Sequence, residues 1–134
     1  MLEYFLTLLG LSNSIGQRAE DRKQRALTML AGIDTAIIEA AMTLDFEIAR
    51  LRVIAMSASI DSDIAVSALV EMRAQCNQLQ EIAKTNRASV NAKGGDVAAL
   101  GALEQWAGTC SVLPKQAVLT VQHIEATIAR IALQ

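Results

Sequence analysis

Helix-borne metal and acid/base sites place carboxylates or histidines three or four positions apart, so that one turn of helix carries both to a common point. None of the 14 acidic residues stands three or four from another, and His123, the one histidine, has no acid at either spacing. The di-iron ExxH pattern, the HExxH zinc pattern and the ExxE or ExxD magnesium patterns are therefore missing, and no metal or other cofactor is expected. His123 lies between the apolar positions Val121 and Ile124 with no identifiable nucleophile or orienting acid, so it reads as a surface or structural histidine. Cys76 and Cys110 have no CxxC spacing and no electropositive helix start to lower their pKa, and they read as reduced, core-packed thiols. No catalytic residue is assigned.

Two features could bind rather than react. Arg18, Arg22 and Arg25 stand at i, i+4 and i+7 with Lys23 adjacent, a basic ridge able to grip phosphates or an acidic partner. Glu20 and Asp21 dilute it, and no aromatic residue interleaves for base stacking, so a solvated face is the expectation. Near Pro114, where a broken helix frees backbone groups, Trp106, Cys110 and Leu113 could line a pocket. Gly94-Gly95 lacks the preceding strand and the following GK[ST] of a phosphate loop, and reads as a hairpin turn.

The stretch from Ile33-Asp34 to Arg52 resembles the long first helix of helical chorismate mutases, with an Ile-Asp pair, an aliphatic run and a later Arg. Leu44 stands about where that family's catalytic arginine falls, and matching downstream residues are missing. The resemblance is one of helix composition and implies no mutase activity.

The elements that must position these residues are helices. Hydrophobic residues make up 52% of the 134-residue chain while aromatics are 3%, so the apolar content is mostly Ala, Leu, Ile and Val, suited to closely packed helix faces. No run of β-branched residues alternates with polar ones. The expected fold is an all-α antiparallel bundle in a single domain over 1–134, built on one long helix.

Its parts are a short apolar helix over 1–11, the long helix over 14–58, a second helix over 61–90, and final helices over 96–110 and 112–133 separated by a kink at Pro114. Ser12-Asn13-Ser14 reads as a break, with Ser14 and Gln17 forming a capping box. In the long helix the line Ile15, Ala19, Arg22, Ala26, Met29, Ile33, Ile37, Ala40, Leu44, Ile48, Leu51, Ala55 and Ala58 averages close to 3.6. A second apolar line, Leu27, Leu30, Ile38, Met42, Ala49, Val53 and Met56, predicts burial on more than one side. The polar face is centred on Glu39, Thr43, Glu47 and Arg50. One Gly costs about 1 kcal/mol against Ala, which the pattern outweighs, so the helix is expected to continue through Gly32.

Charged residues are 19% and mean hydropathy is +0.31, so apolar surface is expected to meet a partner, most simply a second copy in a homodimer. The expected interface is the N-terminal segment with the overhanging start of the long helix: Leu2, Phe5, Leu6, Leu9, Ile15, Ala19, Arg22 and Ala26. The other readings of the N-terminal segment are a helix that caps its own bundle, a docking peptide for a heterologous protein partner and an in-plane membrane anchor.

The net charge of −2 removes the broad electrostatic case for nucleic acid. No continuous apolar run approaches the ~20 residues that span a bilayer, and the polar line of the first segment has no Lys or Arg to meet anionic lipids, so no transmembrane span and no membrane-surface contact are expected. A cytoplasmic location is the expectation, since the N-terminus lacks a basic n-region and a cleavage site. The functional expectation is a non-enzymatic interaction module, an accessory protein of bacterial or mobile-element type that serves as an adaptor, inhibitor or assembly component. The alternatives are a small-ligand binder or enzyme using the Trp106 pocket, and a nucleic-acid or membrane-surface accessory using the arginine ridge.

Overall fold

The computed structural model describes the backbone from Leu2 to Gln134 and the side chains from Arg18 onward. Helix α1 spans Leu2–Ser57, α2 is the single turn Ser62–Ala65, and α3 spans Ser67–Lys93. The chain closes with α4, Val97–Ser111, and α5, Leu113–Ala132. The protein is all-α, with no strand among the described residues.

The core-facing line of α1 forms because one residue in three or four is apolar and aliphatic or small. Ala26, Leu30, Ile33, Ile37, Ala40, Leu44, Ile48, Leu51 and Ala55 are all buried, and they run down one side of the helix. Against them α3 buries Leu69, Cys76, Ala83 and Val90, each seven positions from the last, the spacing of a two-turn packing seam. From α4 and α5 come Leu100, Leu103, Cys110, Ala117, Val121 and Ile128. Every buried residue is hydrophobic, and none of the described polar or charged side chains is buried with them.

Ion pairs give the direction of each helix. Asp34 and Asp45 of α1 pair with Arg87 and Arg73 of α3, so α3 runs antiparallel to α1. Arg50 pairs with Glu125, and Gly95 lies against Ala26, so α4 and α5 together run parallel to α1. The bundle is thus up-down-up, with α1 touching every other helix.

Three boundaries differ from the sequence expectation. The break at Ser12-Asn13-Ser14 is absent, because α1 runs through it; Ser and Asn cost a helix only about half a kcal/mol each, too little to stop one on their own. The second helix is not one piece from 61 to 90. Asp61 caps a first turn by accepting from the backbone N–H of Asp63 and Ile64, and fully buried Val66 then interrupts it before α3 begins. At its other end α3 continues to Lys93 and stops where Gly94 takes φ of 73°, its N–H donating to Val90 O at 2.8 Å.

Helix α1 is continuous through Gly32, which lies on an exposed side where an added Cβ would meet nothing. Asp96 accepts from Ala99 N–H at 2.6 Å to start α4, and Pro114 sits in the first turn of α5, where its missing N–H costs no helical hydrogen bond.

Candidate functional site

Seen down its axis, α1 divides into four strips. The core strip is described above. To one side lie Asp34, Asp45 and Arg52, which pair with Arg87, Arg73 and Asp63. To the other side lie Glu47 and Arg50, where the Arg50 Nε donates to Glu47 at 2.6 Å and its two terminal nitrogens donate to the two oxygens of Glu125, each at 3.0 Å. This doubly bonded guanidinium holds the Glu125 carboxyl below the usual carboxylate range and raises the pKa of Arg50 itself.

The fourth strip, opposite the core, is apolar. Ile38, Met42, Phe46, Val53 and Met56 are between 48% and 68% exposed and, with the exposed Ala49 among them, stand at helical spacing. Here the sequence expectation is corrected. The second apolar line is not buried as a whole: of its members only Leu30 is fully buried, and Leu27 packs partly on the core. Conversely, the polar face does not simply look outward, because Glu47 and Arg50 place it at the α1–α5 seam. With helices packed against it from one direction, α1 has one buried side, and the ion pairs take the rims between that side and the outward stripe.

The stripe has a defined upper end. Towards the N-terminus the same strip continues as Thr35, Ala31, Thr28 and Gln24, and the hydroxyls of Thr35 and Thr28 donate to the carbonyls of Ala31 and Gln24. By length and composition the described part of α1, Arg18–Ser57, contains an 18-residue window apolar enough to cross a membrane, with 33% of it buried in the bundle. A core helix with a second apolar face passes the same test.

The residues singled out for chemistry are dispersed. Leu2, Phe5, Leu6, Leu9 and Ile15 lie outside the residues whose side chains are described. Ala19 is exposed, while Ala26 is fully buried under Gly95 and so belongs to this chain's own core, not to a partner interface. The arginines do not form one solvated ridge. Arg18 and Arg25 are exposed, but Arg22 is half-buried and its Nε is buried without a partner among the described residues. Arg25 borders a shallow groove shared with Asp21 and Glu104, which offsets its charge.

The expected pocket also divides. Trp106 lines a cleft of about 360 Å³ between α3 and α4 with Ile82, Asn86 and Ser89. Leu113 lines a separate cavity of only about 50 Å³ beside Cys76, and Cys110 is buried outside both. Burial pushes both thiols up in pKa, the opposite of what a nucleophile needs. His123 is exposed on the rim of an apolar groove of about 290 Å³ formed with Ile60, Ile64, Ile128 and Ile131. Among the described residues no three His, Cys, Asp or Glu side chains converge as metal ligands. Leu44, at the place where the mutase resemblance would require arginine, is a core residue.

No protein-family model, curated protein or solved structure matches this chain.

Proposed function

We propose that the protein is a non-enzymatic interaction module, an adaptor, inhibitor or assembly component, whose working surface is the outward face of α1. The observation that carries the reading is the stripe itself. Five large apolar side chains occupy one strip of one helix, about half or more exposed, while the charges of α1 alongside them lie on its two rims. Scattered exposed hydrophobics are ordinary on a soluble surface, but a continuous stripe framed by ion pairs is the pattern of a surface that is covered in use.

A photo-crosslinking residue placed at Phe46 in cells that make the protein tests this. Adducts of discrete mass at Phe46, absent at the exposed Val97 of α4, are expected. Equal labelling at the two positions, or none at either, overturns the reading.

A second reading is a small-ligand binder. It is favoured by the cleft between α3 and α4, whose volume of about 360 Å³ falls in the range of ligand sites and whose wall combines Trp106 with the polar Asn86 and Ser89. Ligand-dependent Trp106 emission and a raised melting temperature in a metabolite screen would support it.

A further inference from the structure

We propose that the outward face of α1 pairs with the same face of a second copy of this chain, antiparallel, about a two-fold axis near Phe46. This rests on the interaction-module reading and names its partner.

The shape of the stripe favours an identical mate. Ile38, Met42, Phe46, Ala49, Val53 and Met56 advance by fours and threes with a mean near 3.6, so the stripe follows a straight helix axis for ~27 Å and can meet another straight helix over most of that length. Antiparallel pairing about a point between Asp45 and Phe46 sets Met42 against Ala49 and Ile38 against Val53, a larger side chain facing a smaller one at both levels, with the two Phe46 rings beside the axis and Met56 past the overlap at the level of Thr35. A two-fold contact is self-complementary, and the assembly closes at two copies.

Charge points the same way. Glu39 and Arg50 border the same edge of the stripe, three turns apart, one on each side of Phe46. In an antiparallel pair each edge faces its own counterpart, so Glu39 of each copy comes beside Arg50 of the other. Glu39 is exposed and forms no ion pair among the described residues, while Arg50 uses three of its five N–H groups within the chain and has two left. The stripe offers a patch of several hundred Å² per chain, below the ~800 Å² that each partner gives to a standard interface, so the contact it makes with a second copy is a small one. A lipid surface suits the stripe less well, because the rims, counted with the partners that α2, α3 and α5 bring to them, carry more carboxylates than arginines, with Glu39 unpaired among the described residues, and a net negative rim repels anionic headgroups.

The test uses the full-length purified chain with Phe46→Cys under mild oxidation. A disulfide-linked dimer is expected at Phe46→Cys and none at Val97→Cys; the native thiols are buried and should not interfere. Sedimentation of Phe46→Asp should show the dissociation constant raised by at least about a hundredfold, and of Glu39→Arg by about tenfold, with helical circular dichroism unchanged because both positions are exposed. Dimers that persist in Phe46→Asp place the interface elsewhere and overturn the proposal. A chain that is monomeric at every concentration overturns it too, yet crosslinks at Phe46 to a different protein would leave the interaction-module reading standing. Phe46-dependent binding of the monomer to phosphatidylcholine or phosphatidylglycerol vesicles would replace the second copy with a membrane.

Discussion

Arg50 on α1 and Glu125 on α5, 75 positions apart in the chain, are joined by two parallel hydrogen bonds of 3.0 Å. The fork geometry matters more than the charge, since a paired guanidinium and carboxylate fix both the rotation and the axial level of α5 against α1. The same arginine also holds Glu47 one turn earlier, so the seam is tied at the level where α1 carries its outward stripe.

Because this pair lowers the pKa of Glu125, its contribution is complete above the ordinary carboxylate range and is lost as pH falls through the lowered folded value. Glu125→Gln should therefore melt below the natural chain at neutral pH, and the difference should shrink as pH falls below the ordinary carboxylate range. Melting curves across that range check it. A difference that stays constant with pH would show that the pair is not what holds α5 in place.

Adjacent glycines at the α3–α4 connection should respond differently to alanine. Gly94 has φ of 73° and ψ of −174°, a conformation that a Cβ disfavours, so Gly94→Ala should cost about 1–3 kcal/mol. At Gly95 an added Cβ would meet Ala26 Cβ at 3.5 Å and Arg22 O at 3.7 Å, ordinary contacts, so Gly95→Ala should change stability by less than about 0.5 kcal/mol. Urea unfolding of the two variants decides whether backbone conformation or space governs the turn.

Two positions in α1, two residues apart, separate core from stripe. Leu51 is fully buried and Val53 is 64% exposed. Leu51→Ala should cost about 2–5 kcal/mol through the cavity it leaves, whereas Val53→Ser in dilute monomer should cost less than about 0.5 kcal/mol. Urea unfolding at low protein concentration compares them. Equal losses at the two positions would mean that Val53 is packed within its own chain.

Cys76 and Cys110 should resist thiol reagents in the native protein and react only as fast as the bundle opens. Both are buried, and burial holds each as the neutral thiol. Labelling followed by mass spectrometry, with and without urea, reads this directly. Rapid labelling of either cysteine without denaturant would contradict their place in the core.

The all-α fold is legible in the sequence because helical spacing of small aliphatic residues runs almost the whole chain and no competing strand pattern exists. The buried line of α1 from Ala26 to Ala55 can be read off at a period of 3.6 for the same reason. Which of two apolar lines on α1 faces inward cannot. Ile38 and Ile37 are the same residue type, one half exposed and the other fully buried, and only the direction from which helices pack against α1 distinguishes them. Glu47 and Arg50 mislead in the opposite sense: a polar line suggests the solvent face, while their long side chains reach across a seam to Glu125, a partner that no local spacing reveals. Phe46, four after Met42 and three before Ala49, fills the gap in the second line by spacing alone, and it lies at the middle of the stripe.

Light scattering on the full-length chain and on Phe46→Asp tests the role of the α1 stripe most directly. The stripe as a surface shared between two copies predicts a mass twice the 14.4 kDa of the chain for the natural protein and a single-chain mass for the variant, with the same helical content. Equal masses for the two proteins, whether one chain or two, would contradict it.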